Sequence, residues 1–411
     1  MYSQYKLLSL LKHSIQHYMI SKLLLSEIIK DQLENYSKKN WIERQVEIPT
    51  DSKRIIIISG VRRCGKSTLI QQKLIETITA LYINFEDPRL INFTLDDFLQ
   101  LEKVANDAGK THLLLDEVQN IDKWELFARM ANDKGIHLFI TGSNASMLSR
   151  ELGTRLTGRY NQIELFPFSY QEFLTFFKYE RNLTSFDLYF ESGGFPEYLE
   201  EADDNYLRTL LRDIITRDVA IRRNITNENQ LIRLAVHLLS NIGKEFSYNN
   251  IAKVLEIKSV RTVIDYCDYF RESYLMDFVP QYSASIKKQL ANPKKIYCVD
   301  PAFAKANSLS FSKDLGRRLE NFVFNKLRRD SNEIFYFKHA NTECDFVVKQ
   351  NEQIAQAVQV CWEITNENMV REINDIKNAI SETGAHEAVI ITHNQEDVLD
   401  GIQLIPAWKW I

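Results

Sequence analysis

Short apolar runs alternate with stretches of helical period through the first half of the chain. Ile55-Ile56-Ile57-Ile58 leads through a glycine-rich turn into a helix beginning near Lys66. Strand-like Leu81 to Phe85, helical Asp96 to Ala105, strand His112 to Leu115, helix Trp124 to Ala131 and strand His137 to Thr141 follow. Strands separated by helices need crossovers, so the pattern predicts an α/β domain with a parallel sheet covered on both faces. The text then changes. Ser247 to Phe270 reads as two short helices around a turn, with Ser247 and Ser259 as caps. Ile251, Leu255, Val263, Ile264 and Phe270 supply their inner face, and Tyr274 to Val279 a strand. The last stretch predicts helix Gly316 to Arg329, strands Ile334 to Phe337, Cys344 to Val348 and Gln356 to Glu363, helix Asn366 to Ser381 and strand Glu387 to Thr392.

At 411 residues the chain has room for roughly two to four domains of about 150 residues each. The pattern divides it into an N-terminal helical segment (1–48), a nucleotide domain (49–205), a helical and winged region (206–285) and a second α/β domain (286–411).

The turn after the isoleucine run carries the most specific chemistry. Gly60, four residues and then Gly65-Lys66-Ser67 fit the spacing of a P-loop, a nucleoside triphosphate site. The backbone N–H groups of Gly60, Val61, Arg62, Arg63, Cys64 and Gly65 can close around phosphates, and Lys66 can reach the β and γ oxygens. Ser67 is placed to ligate Mg²⁺, and Thr68 enters the helix whose positive dipole end faces the same anion. Leu113-Leu114-Leu115-Asp116-Glu117 ends a buried strand in two carboxylates, where parallel sheets open their ligand crevice. Asp116 is the expected second Mg²⁺ ligand, and Glu117 the expected base that orients and deprotonates water. The strand Leu81 to Phe85 is expected to lie between the P-loop strand and the Asp-Glu strand.

Composition narrows the partners. Net charge is -4 and the isoelectric point about 6.1, so no global positive field draws the protein to nucleic acid. Cys64, Cys267, Cys298, Cys344 and Cys361 are dispersed without C-x-x-C pairing, which argues against a disulfide framework or structural zinc. The first 25 residues are apolar at helical spacing, yet lysines and histidines interrupt them. With neither a signal h-region nor about 18 uninterrupted apolar residues, they are expected to be neither a signal sequence nor a membrane span. A cytoplasmic protein without membrane partners is expected.

The strings YINFEDPRL (Tyr82 to Leu90), LLLDEVQN (Leu113 to Asn120), TGSNASMLS (Thr141 to Ser149), LTGRY (Leu156 to Tyr160), LFPFSYQEF (Leu165 to Phe173) and GGFPEYL (Gly193 to Leu199) go further. Together they resemble a family of bacterial and archaeal AAA+ ATPases with an AAA_14-like P-loop domain and a DUF4143-type C-terminal region. The resemblance implies ATP and Mg²⁺ as ligands and a polar sensor after the strand ending at Thr141. Asn144 or Ser143 fits that role, an N-cap for the next helix being the alternative. It also makes Arg159 the first candidate for an arginine finger and Arg155 the second, against a surface arginine. A finger acting in trans would require a homo-oligomer.

The region from Ser247 resembles a winged helix-turn-helix. Its second helix offers only Arg261 and Arg271 beside Asp265 and Asp268, which favours packing or relay over reading DNA. The helix-strand-strand-strand-helix-strand order at the C-terminus resembles the PD-(D/E)XK nuclease core. That resemblance places Glu320 as the helical acid and Asp345 as first metal ligand, with Glu343 nearby, and fails at Gln359-Val360-Cys361, where an acid and a lysine belong. Lys377 or Arg371 could supply a migrated cation. Three outputs compete: ATP-driven work on DNA through the C-terminal half, an ATP-gated metal nuclease, and a nucleotide switch for a protein partner.

Overall fold

The computed structural model describes residues 19–36, 41–72, 79–143, 156, 158–203, 205–309 and 314–410. Helix α1 (Lys22–Tyr36) precedes strand β1 (Ile55–Ser59), helix α2 (Lys66–Ile70), β2 (Ala80–Asn84), α3 (Phe98–Asp107), β3 (His112–Asp116), α4 (Trp124–Asp133), β4 (His137–Gly142) and β5 (Tyr160–Glu164). The five strands are parallel in the order β2-β3-β4-β1-β5. The expected neighbours are corrected here. β2 lies at the edge, and it is β4 that separates β1 from β3, because a long crossover can skip a strand position whatever the order in sequence. The tip of β4 therefore stands between the glycine loop and the Asp116-Glu117 pair.

Alternate side chains of each strand serve opposite cores, and both are apolar because both faces are covered. Ile55, Ile57, Leu113, Leu115, Leu138 and Ile140 pack against α1, α3 and α4, where the Phe98 and Phe127 rings stack with centroids 4.2 Å apart. Ile56, Ile58, Leu114 and Phe139 face the other way, into Leu69 and Ile70 of α2 and, beyond them, into residues that arrive much later in the chain.

Those residues belong to a helical run: α5 (Tyr170–Phe177), α6 (Leu183–Ser192), α7 (Pro196–Glu201), α8 (Tyr206–Asp213), a π-helical segment Ile214–Ile221, and α9 (Glu228–Leu239). After β6 (Glu245–Phe246), α10 (Tyr248–Val254) and α11 (Val260–Glu272) are the two expected helices around a turn, with Ser247 and Ser259 accepting from the Asn250 and Arg261 amides. β7 (Met276–Pro280) and β8 (Lys294–Cys298) are antiparallel, β6 pairs with β8, and α12 (Ile286–Ala291) sits in the β7–β8 connection. Only β7 of this sheet is legible in the sequence. The core fed by Ile56 and Ile58 runs on through Leu210, Ile214, Leu234, Phe270, Phe278 and Phe303 without a break.

After α13 (Pro301–Asn307), helix α14 (Leu315–Asp330) opens the C-terminal domain. β9 (Ile334–His339), β10 (Thr342–Gln350) and β11 (Gln353–Val360) form an antiparallel meander, followed by α15 (Met369–Thr383), β12 (Glu387–Thr392), β13 (Asp397–Leu399) and β14 (Ile402–Pro406). The mixed sheet runs β13-β14-β12-β11-β10-β9. α14 covers one face and α15 the other. β11 begins and ends three residues earlier than the pattern predicts. The reversal is made by Asn351 and Glu352, both at positive φ, and glutamate at such a turn gives no signal of the Asn-Gly kind. Arg328 at the end of α14 pairs with Glu164 of β5 and Asp277 of β7, joining the three parts.

Candidate functional site

A glycine is required at position 60 by a neighbour. A Cβ there would stand 2.0 Å from the Leu165 carbonyl oxygen, and the Leu165 amide is fixed by donating to Ser59 O at 2.7 Å. Gly65 caps α2 at φ 99, in the left-handed region that glycine occupies without strain. Between them, Val61 and Cys64 turn their side chains into the core, and burial pushes the Cys64 thiol up. Both therefore offer only backbone to the outside. Arg62, Arg63, Gly65, Lys66, Ser67 and Thr68 line a cavity of about 570 Å³, together with Tyr82 and Glu117.

Lys66 folds back so that its ammonium donates to the Gly60 and Val61 carbonyls, both at 3.1 Å, with Glu117 Oε1 at 4.0 Å. Asp116 is fully buried and accepts from Tyr82 Oη at 2.6 Å and from the Thr141 hydroxyl. That hydroxyl in turn accepts the Glu117 amide at 2.9 Å, so the tip of β4 sets the Asp-Glu turn, with Glu117 left-handed at φ 51. Burial pushes the Glu117 carboxyl above the ordinary carboxylate range; Lys66 opposes the rise and Asp116 adds to it. The Gln119 amide donates to the other Glu117 oxygen.

The residues fit a bound nucleotide with Mg²⁺. Lys66, Ser67 and Glu117 line one cavity with Arg62 and Arg63 of the loop, the lysine donates hydrogen bonds only to the neutral Gly60 and Val61 carbonyls, and the buried Asp116 carboxylate directly precedes Glu117.

Several members of the site lie too far along the chain to be read from the motif. Buried Arg44, itself part of the cavity lining, donates to the Cys64 carbonyl at 2.9 Å and to Glu172 at 2.7 Å and so braces the loop. The Arg44 guanidinium keeps the Glu172 carboxyl low against the upward push of burial. Asp218, in the π-helical segment, accepts from Arg62 Nε and Nη2 at 3.1 and 3.2 Å and from Ser143 Oγ at 3.0 Å, with Arg222 at 3.8 Å. The expected sensor serine thus meets the loop through Asp218. Asn144 and Arg155 lie outside the described residues. Arg159 forms an exposed pair with Asp133 and is not in the cavity lining.

The C-terminal acids also come together, around an unexpected cation. Lys295 of β8 places its ammonium 3.0 Å from Glu320, 2.8 Å from Glu343 and 2.9 Å from Asp345, with its side chain 3 % exposed. Tyr297 donates to the same Glu320 oxygen. This corrects the expected source of the cation: Arg371 pairs with Glu372 and Lys377 with Asp400. Gln359 accepts the Asp345 amide at 3.2 Å and donates to Glu372 at 2.6 Å. Burial, reinforced by Asp345 and opposed by Lys295, pushes the Glu320 carboxyl up to about 7. Among the described residues no group of His, Cys, Asp and Glu is arranged to hold a metal ion.

Sheet order, glycine loop and acid pair define an AAA-type P-loop protein, and the family model described as AAA domain matches residues 52–174. Models described as domains of unknown function, DUF8612 and DUF4143, match 183–314 and 315–410. The chain is 34 % identical to the uncharacterized protein MJ1544 of Methanocaldococcus jannaschii over 426 residues, covering 95 % of each. An uncharacterized protein of Haemophilus influenzae is 28 % identical over 404 residues, covering 91 % of this chain and 98 % of the relative. The protein belongs to this family of AAA-domain proteins with a DUF4143 C-terminal region. Among solved structures, "Structure of Drosophila ORC bound to AT-rich DNA and Cdc6" contains a chain 11 % identical, covering 62 % of this chain and 84 % of that one. Its TM-score of 0.19 gives the likeness no bearing on function. No helix among the described residues is long and apolar enough to cross a membrane.

Proposed function

We propose that the protein binds ATP and hydrolyses it to ADP and phosphate in the cavity at Gly60 to Ser67, and that its C-terminal half responds to the nucleotide state. The observation that carries the reading is Lys66, buried and bonded to two neutral carbonyls beside a carboxyl whose basicity is raised. Such an ammonium can transfer to phosphate oxygens with little loss. Lys66 and the loop amides bind the phosphates, and Ser67 and Asp116 are the residues that would hold Mg²⁺. When bound, Mg²⁺ neutralises charge on the β and γ oxygens. Glu117 orients a water and takes its proton, for which a pKa above the usual carboxylate range is an advantage. Ser143 or Asn144 senses the γ-phosphate. Arg159, exposed just before the edge strand β5, would complete the site of a second copy.

In this reading the helix-turn-helix with its β-hairpin is a winged helix that relays the state to a degenerate PD-(D/E)XK-like domain in a cytoplasmic protein. A protein partner is favoured over DNA by a specific observation: Arg261 and Arg271, the basic residues of α11, pair with Asp265 and Asp268 of the same helix. Metal-dependent cleavage is disfavoured by Gln359, a neutral amide where the third-strand acid belongs, tied to the Asp345 amide and to Glu372. The test is phosphate release with Mg²⁺, with and without duplex DNA, reading strand integrity in the same tube. Expected are DNA-independent turnover, intact strands, and retained ATP binding with turnover lowered at least about a hundredfold in Glu117→Gln. Unchanged turnover in that variant removes Glu117 from its role, and nicking lost in Asp345→Ala restores the nuclease.

A further inference from the structure

We propose that Arg62 is a further phosphate-binding residue, selective for the γ-phosphate, and that Asp218 is the internal anion it leaves when ATP enters. The inference rests on the ATPase reading and names a regulation of the same site. Arg62 lies inside the glycine loop, and its side chain lines the same cavity as Lys66, Ser67 and Glu117. Its guanidinium is engaged by two carboxylates, Asp218 through Nε and Nη2 and Glu86 through Nη1 at 3.1 Å. Asp218 comes from outside the segment matched by the AAA-domain model, and its side chain is 1 % exposed. A planar guanidinium held in this bidentate fashion matches a phosphate as well as a carboxylate. The third residue of the loop therefore carries a cation whose resident partner imitates the ligand.

The exchange has a mechanical consequence, because Asp218 is also the acceptor of Ser143 Oγ and the neighbour of Arg222. It lies in a π-helical segment whose Ile214, Ile215 and Val219 pack in the core shared with β1 and the helix-turn-helix. π-Helical turns are rare and concentrate at functional sites. When Arg62 turns to phosphate, Asp218 keeps Arg222, and the segment loses its direct tie to the loop. ADP, without the γ-phosphate, leaves that tie closed. Asp218 is thus a positioning residue, and the ATP-to-ADP step is read as the opening and closing of one ion pair.

The experiment titrates the full chain with a non-hydrolysable ATP analogue and with ADP, in Mg²⁺, and follows amide hydrogen exchange of residues 214–221. Arg62→Ala is expected to weaken the ATP analogue about tenfold to a hundredfold while ADP changes less than about twofold. ATP analogue, but not ADP, should speed exchange across 214–221 in the wild type. Asp218→Asn should show that fast exchange without nucleotide and bind the ATP analogue more tightly than the wild type. Arg62→Lys, which keeps charge but loses the fork, guards against a folding defect and should recover part of the selectivity. Equal loss of both nucleotides in Arg62→Ala, or exchange at 214–221 indifferent to the γ-phosphate, overturns the exchange while leaving the ATPase reading intact. A wild-type protein that binds neither nucleotide overturns both.

Discussion

Lys66 and Lys295 are both buried ammonium groups beside carboxylates, but the first donates to two neutral carbonyls and the second to three carboxylates. An ammonium solvated by carbonyls keeps its charge for an incoming anion. One surrounded by acids has spent its field on them and holds two elements together instead. Here those elements are β8 of the hairpin and the α14–β10 corner of the C-terminal sheet. The same residue type in two buried places thus yields a binding site in one and a clasp in the other.

The largest expected effect tests the first half of that contrast. Lys66→Ala should lower nucleotide affinity by at least about a hundredfold, the loss of charge-assisted contacts to phosphate, and leave unfolding of the C-terminal half unchanged in hydrogen exchange. Retained affinity would mean that the loop is an ordinary strand-turn-helix. Lys295→Met should instead leave nucleotide affinity within about twofold and destabilise the fold by about 3–5 kcal/mol near neutral pH, measured by denaturant unfolding. The deficit should shrink at pH 5, where the abandoned acids can take up protons. Restoration of stability by Mg²⁺ would make the cluster a metal site and erase the contrast.

The smallest effect concerns protons. Burial, with Asp345 beside it, pushes the Glu320 carboxyl up to about 7 in the fold, against about 4.3 in an unfolded chain, so the folded protein binds the proton more tightly. Its stabilising contribution is fully present below pH about 4.3 and is lost as pH rises through 7. Glu320→Gln should therefore flatten the decline of stability between those limits. A wild-type profile already flat there would show that Lys295 holds Glu320 charged throughout.

What could be read from the sequence was what lies close along it. Gly60 to Thr68 and Asp116-Glu117 are local strings whose chemistry depends on a turn and a strand end, and the structure gathers most of them around one cavity. Asp218, Arg44 and Lys295 escaped because their roles are set by partners far away: Arg62 and Asp218 are 156 residues apart, and Arg44 and Glu172 128. Nothing in the text around Lys295, within Asn292-Pro293-Lys294-Lys295, distinguishes it from a solvated charge. It is buried because β8 pairs with β7 and brings it against α14. The lateral place of β2 was hidden for a similar reason, since strand propensity says what a segment is and not whom it will sit beside.

The continuity of the core beneath β1 bears on how such a gene can be divided. A chain ended in the gap between the first two family matches would keep Leu69 and Ile70 over Ile56, Ile58, Leu114 and Phe139 but lose Phe195, Leu210, Ile214 and the rest of that core, and the apolar surface left bare would cost about 25 cal/mol per Å². Such a chain would also strip Ser59, the residue before the glycine loop, of its 2.6 Å bond from Tyr274. The AAA segment is therefore not a portable engine with a passenger attached. Recombination between relatives at that seam would exchange two halves of one interior, and only halves whose side chains interlock would survive the exchange.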